Sequence, residues 1–133
     1  MPKLAMTSVP EPIPFSLKRT RTDIFSAFLR ARKEFGGSTV AIVDGDEREL
    51  TYTEIARAAF ALGSAIRGKT AKNEVLGIML PTGAGAVIAF LAVLAAGRIP
   101  AMLNFTAGSA NIRSAMRAAE VSKIITALTF LYS

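Results

Sequence analysis

Residues Val75–Gly97, VLGIMLPTGAGAVIAFLAVLAAG, carry no charged side chain over 23 positions, and Pro81, Gly83 and Gly85 sit inside them. Three architectures accept such a run: a membrane span, a strand–turn–helix that cradles phosphate, or a strand and helix buried in a sheet. As a single helix it would reach roughly 34 Å, against a hydrocarbon core of about 30 Å. Its interior resists that reading. Pro81 would cost about 3 kcal/mol in a continuous helix and each glycine about 1 more. Spanning helices tolerate both residue types, so a membrane-attached protein using Val75–Gly97 stands as an alternative. The part after the breaker, Ala84–Ala96, would reach only about 20 Å. A bend at Pro81 lets the glycines form a turn, and burying Val87, Ile88, Phe90, Leu91, Val93 and Leu94 then contributes on the order of 10 kcal/mol. The favoured expectation is a buried strand, a turn and a buried helix.

The phosphate reading rests on Gly83-Ala84-Gly85 at the start of that helix, where anions are attracted. The dinucleotide fingerprint needs a third glycine, and Ile88 occupies its place. The one Gly-Lys-Thr, Gly68-Lys69-Thr70, falls where the helix that begins at Thr51 is expected to end and does not follow a strand, so no P-loop is expected. A tight turn explains the two glycines without a ligand.

Composition narrows the chemistry. The 133 residues contain neither cysteine nor histidine, which removes the Ser-His-Asp triad, a thiol nucleophile, disulfides and an ordinary zinc site. With 51% hydrophobic residues one folded domain is expected rather than a disordered chain. The net charge of +6 is spread from Lys3 to Lys123. Its densest cluster, Lys18-Arg19-Thr20-Arg21, has no interleaved aromatics for base stacking. No nucleic-acid partner is expected, and a small basic nucleic-acid binder is the weaker alternative. Prolines 10, 12 and 14 interrupt the opening MPKLAMTSVPEPIPFS, which has no apolar core of signal-peptide length. Residues 1–21 read as an extended lead-in. A cytoplasmic location is expected, with association at the inner face of the membrane as an option.

Thr22 is placed to cap a helix running to Phe35, with Asp23 complementing its positive end and Gly36-Gly37 ending it. Thr39–Val43 is a β-branched run, Asp44-Gly45 favours a two-residue type I′ turn, and ELTY returns as a second strand. The acidic residues Asp44, Asp46, Glu47 and Glu49 fail the calcium-loop pattern, since Glu49 stands where glycine belongs and Ile55 where glutamate belongs. They read as an exposed turn. Thr51-Tyr52-Thr53-Glu54 fits a capping box, and Ile55, Ala58, Ala59, Leu62 and Ile66 follow at helical spacing up to Gly68. Beyond the polar KTAKNE come a strand VLGIML, a helix to Ala96, a strand IPAML, a helix Ser109–Ala119 and a strand KIITA. This order predicts an α/β fold: a β-α-β-α-β parallel sheet with flanking helices, preceded by an amino-terminal helix and a small β-hairpin.

The motifs LTYTEI (Leu50–Ile55), Leu80-Pro81, and Leu94 with Ala96-Gly97 resemble, in order and spacing, the opening of the adenylate-forming (AMP-binding) enzymes. The run AAGRIPAMLNFTAG is most similar to acyl-acyl carrier protein synthetases, including those fused to a 2-acylglycerophosphoethanolamine acyltransferase, and to long-chain fatty acyl-CoA ligases. The resemblance spans roughly Thr22 to Ala127. It implies a parent enzyme that activates a fatty acid with ATP and Mg2+ through an acyl-adenylate, and passes the acyl group to acyl carrier protein or coenzyme A. Residues 22–133 would be the amino-terminal portion of its adenylation domain, a partial fragment. Many relatives have Pro-Leu-Asp or Pro-Leu-Asn where Ala101-Met102-Leu103-Asn104 stands. This suits the acyl carrier protein branch, though the choice against acyl-CoA ligases stays open. The family's triphosphate loop, Tyr-x-x-Thr-Glu segment and catalytic lysine have no counterpart here. Thr51, Glu54 and Gly97 match the family yet are explained by helix ends. No catalytic, cofactor-binding or metal-binding residue is therefore assigned, and the fragment alone is expected to be an inactive scaffold that tends to self-associate.

Overall fold

The computed structural model describes residues 11–128; the first ten residues of the lead-in and the last five of the expected domain lie outside them. Helix α1, Leu17–Thr20, is one turn, so the lead-in is not extended throughout. Thr20 Oγ donates to the Leu17 carbonyl at 2.8 Å and Arg19 pairs with Glu34 at 2.8 Å, which together hold the turn against α2, Ile24–Phe35. The cap of α2 is Asp23 rather than the expected Thr22. Its two carboxylate oxygens accept from the Ser26 N–H at 2.8 Å and the Ser26 hydroxyl at 2.6 Å. A charged, two-oxygen acceptor at a helix amino end outcompetes a single hydroxyl. Gly36 ends the helix, its N–H donating to Arg32.

Strands β1 (Val40–Val43) and β2 (Glu49–Thr51) form the expected antiparallel hairpin. Its turn differs from the two-residue expectation. Asp44 N–H bonds the Arg48 carbonyl and Glu47 N–H bonds the Asp44 carbonyl, both at 2.9 Å, enclosing a three-residue loop in which Glu47, not Gly45, is left-handed (φ 58°). Register explains the difference. The longer loop sets Ile42 opposite Leu50, with Leu50 buried and Ile42 against the same core, whereas a two-residue turn would set Ile42 opposite Glu47.

Helix α3, Tyr52–Arg67, opens with the complete capping box: the Thr51 hydroxyl accepts from Glu54 N–H at 3.2 Å, and the Glu54 carboxylate accepts from Thr51 N–H at 2.8 Å. The charge-free run then divides as expected. It forms β3 (Val75–Met79), a turn through Pro81, and α4 (Ala84–Ala95). The spanning alternative is thereby overturned: among the described residues no helix is long and apolar enough to cross a membrane. Ala96, Gly97 (φ 72°) and Arg98 close α4, with Gly97 N–H bonding Leu94 and Arg98 N–H bonding Val93, both at 3.0 Å.

Strand β4 (Ile99–Met102), a 3-10 turn at Phe105–Ala107, α5 (Ser109–Ala118) and β5 (Lys123–Thr126) complete the fold. The sheet is parallel in the order β4-β3-β5. Pro100 is accommodated because β4 is an edge strand of this sheet. Right-handed crossovers in opposite directions send α4 and α5 to opposite faces. On the α4 side, Ile55, Ala59, Leu76, Ile78, Ala92 and Val93 form the fully buried centre of the core. Helix α3 lies close on α4 because residue 63 is glycine: a Cβ there would stand 3.0 Å from the Ala92 carbonyl oxygen.

Candidate functional site

The two ends of the parallel sheet are built differently. At the amino end, polar groups are consumed by structure. The Arg98 guanidinium donates to Thr70 Oγ1 at 2.9 Å and to the carbonyls of Thr70 and Ala96 at 2.7 Å, tying the loop after α3 to the end of α4. The Glu74 carboxylate accepts from Lys123 Nζ at 2.6 Å and Ala71 N–H at 2.7 Å, joining β3 to β5. Lys123 and that amide hold the Glu74 carboxyl below the usual glutamate range. Two helix caps show the same direction. Asp23 is lowered by the Ser26 hydroxyl and then its N–H, and Glu54 by the Thr51 N–H and then its hydroxyl. All three carboxylates are engaged in holding backbone ends or neighbouring strands, so their shifts mark architecture and not an acid–base centre.

The carboxyl end is where open α/β sheets form ligand crevices. A cleft of about 400 Å³ opens there, lined by the hairpin turn Asp44–Asp46, the turn Leu80–Ala86 and Ala127 beyond β5. Thus the structure brings together two stretches weighed separately in the sequence, the acidic turn and the Gly83-Ala84-Gly85 helix start. Glu47 and Glu49 do not line it. Asp44 Oδ1 accepts from the Gly45 N–H at 2.8 Å and lies 2.9 Å from where a Cβ on residue 83 would stand. Negative charge therefore already sits against the start of α4, and a phosphate entering there would meet a like charge. The Asp44 carboxylate packs against the turn before α4 without capping the helix. No periodicity in the sequence signals this pairing, because it depends on how the hairpin is carried onto the sheet.

A second groove, of about 480 Å³, runs between α2, the hairpin and α4; Phe28, Ile42, Tyr52, Val87 and Phe90 are among its walls. It offers apolar surface and the Tyr52 ring. Among the described residues no group of three or more acidic side chains is placed to hold a metal ion.

The family model for AMP-binding enzyme matches residues 28–131. Among solved structures, the amino-terminal subdomain of Klebsiella oxytoca NpsA in complex with 3-hydroxybenzoyl-AMSN superposes with a TM-score of 0.72 at 22% identity, covering 77% of this chain and 26% of that one. The anthranilate CoA ligase AuaEII, in complex with anthranoyl-AMP, gives 0.71 at 20% identity over 80% of this chain and 21% of its own. The nonribosomal peptide synthetase FmoA3 in an α-methyl-L-serine-AMP bound form gives 0.68 at 24% over 90% and 13%. At these identities the likeness is one of fold. The chain spans about a quarter of the NpsA subdomain it matches. The sheet order, the turn at Pro81 and the family match over most of its length lead to one conclusion: this chain belongs to the AMP-binding enzyme family.

Proposed function

We propose that this chain is the amino-terminal scaffold of an ATP- and Mg2+-dependent acid–thiol ligase that activates a fatty acid as its acyl-adenylate and hands it to acyl carrier protein, with coenzyme A as the alternative acceptor. The family match over residues 28–131 carries the ligase part of this reading. The fatty-acid part rests on the residues of β4 and beyond, AAGRIPAMLNFTAG (Ala95–Gly108), and on their resemblance to acyl-acyl carrier protein synthetases. NpsA and AuaEII were captured with aromatic acyl groups. At about one-fifth identity they share the fold with this chain, and the acid is a separate question.

In such a ligase the carboxylate attacks a phosphoryl centre, and positioning plus charge neutralisation supply most of the catalysis. The described residues supply no cluster of acidic side chains placed to hold a metal ion. Their contribution is a rigid sheet edge and the apolar groove beside α4, which support elements that do the chemistry. The cytoplasm, where ATP and acyl carriers meet, is the matching compartment. Two measurements test the proposal. The chain alone is expected to give no fatty-acid-dependent exchange of pyrophosphate into ATP. Grafted in place of the corresponding segment of an acyl-acyl carrier protein synthetase, it is expected to retain adenylation of fatty acids over benzoates. A folded chimera that prefers benzoates, or an active isolated chain, overturns it.

A further inference from the structure

The amino-terminal layer, residues 11–35, differs from the rest of the molecule in charge and in exposed apolar surface. It holds six basic residues, Lys18, Arg19, Arg21, Arg30, Arg32 and Lys33, against three acidic ones, which is half of the chain's net +6. Residues 36–128 are near balance, with nine basic against seven acidic. Directly before the basic cluster, Ile13, Phe15 and Leu17 stand at alternate positions. Phe15 is 82% exposed and Ile13 74%, the two most exposed large apolar side chains among the described residues. Leu17 and Ile24 are more than half exposed, and α1 buries none of its residues. The Arg19–Glu34 pair fastens this layer to α2. Lys18 and Arg21 make no ion pair among the described residues.

Singly exposed apolar residues are ordinary, but a run of them abutting a basic cluster is the composition of a segment lying in a headgroup region, with apolar tips inserted and cations against anionic lipid. We infer that residues 11–35 dock this chain on an anionic lipid bilayer surface, with Ile13, Phe15 and Leu17 entering the boundary and Lys18 and Arg21 contacting the headgroups. The complementarity of charge selects the occupant: a surface of negative lipid attracts this layer while the balanced remainder faces water. The inference is independent of which acid the ligase activates.

The chain contains no tryptophan, so Phe15→Trp creates a single tryptophan reporter at the most exposed large apolar position among the described residues. Vesicles of equal parts phosphatidylcholine and phosphatidylglycerol are expected to shift its emission to the blue and to carry the protein down on sedimentation. Phosphatidylcholine alone is not. Raising salt is expected to release it. Lys18→Glu with Arg21→Glu is expected to weaken binding about tenfold or more, as is Ile13→Ser with Leu17→Ser. Lys69→Glu with Lys72→Glu, an equal charge change outside the layer, is expected to leave most of the binding in place. All these positions are exposed, and circular dichroism verifies that each variant is folded. The inference falls if neither vesicle binds, if neutral vesicles bind equally, or if the Lys69/Lys72 variant loses as much as the Lys18/Arg21 variant. It falls equally if the blue shift appears without lipid and grows with protein concentration, which would make the layer a contact between copies of the chain.

Discussion

Helices α4 and α5 are the two crossovers of one parallel sheet, and they are built in opposite ways. Helix α4 has no charged residue and buries Ala84, Ala89, Leu91, Ala92 and Val93. Helix α5 carries Arg113 and Arg117 and buries none of its residues. The difference follows from what each helix must cover. The face of the sheet beneath α4 also receives α3, and the capping of α3 and the hairpin before it close that side against water. The face toward α5 has only a small buried patch, Leu103 and Val121, which lies outside the main core. A helix enclosed by neighbours is selected for apolar, small side chains, whereas one with a wet outer surface needs an amphipathic stripe. Stability should accordingly reside on one side of the sheet.

The largest expected effect is on the closed face. Val93→Asp places an unpaired carboxylate at a fully buried position and should cost about 4 kcal/mol or more, enough to unfold a marginal domain. A chain that keeps a cooperative urea transition with this substitution would show that α4 is not enclosed. Gly63→Val pushes a branched side chain into the Ala92 carbonyl and should destabilise by roughly 1–3 kcal/mol in the same assay. On the open face, Met116→Ala in α5, at a half-buried position, should cost about 1 kcal/mol or less. If it matched Gly63→Val, the contrast between the faces would collapse.

The smallest effect is a pH dependence. Glu54 titrates below an unfolded glutamate. Its stabilising contribution is therefore complete above the unfolded range and fades as pH falls through the lowered folded value. Glu54→Gln should be less stable than the parent at neutral pH and converge with it in acid. Thermal melts across that range measure the convergence, and curves that stay parallel would exclude the capping box as its source.

Much of this architecture was legible from local pattern. Thr51 and Glu54 three residues apart announced the start of α3, and Pro81 announced the break between β3 and α4, because each acts through its own backbone neighbours. Two misreadings share a cause. Thr22 and Asp23 are both good caps, and Asp23 prevailed through two bonds to Ser26. Asp44-Gly45 favours a short turn, and the pairing of Ile42 with Leu50 imposed a longer one. The cleft at the carboxyl end was not legible. Asp44 and Gly83 are brought together by the antiparallel hairpin and the parallel sheet acting jointly, and neither stretch carries a sign of the other.

By itself, the sequence determined the order of the main helices and strands, the capping box of α3, and the division of the apolar run, since these depend on backbone conformational cost and on the spacing of side chains a few residues apart. Tertiary structure alone decided which face of the sheet is closed, how near α3 approaches α4, and which carboxylate stands at the start of α4. Those outcomes depend on shape and on contacts between residues distant in the chain, where a single Cβ or one residue of register changes what touches what.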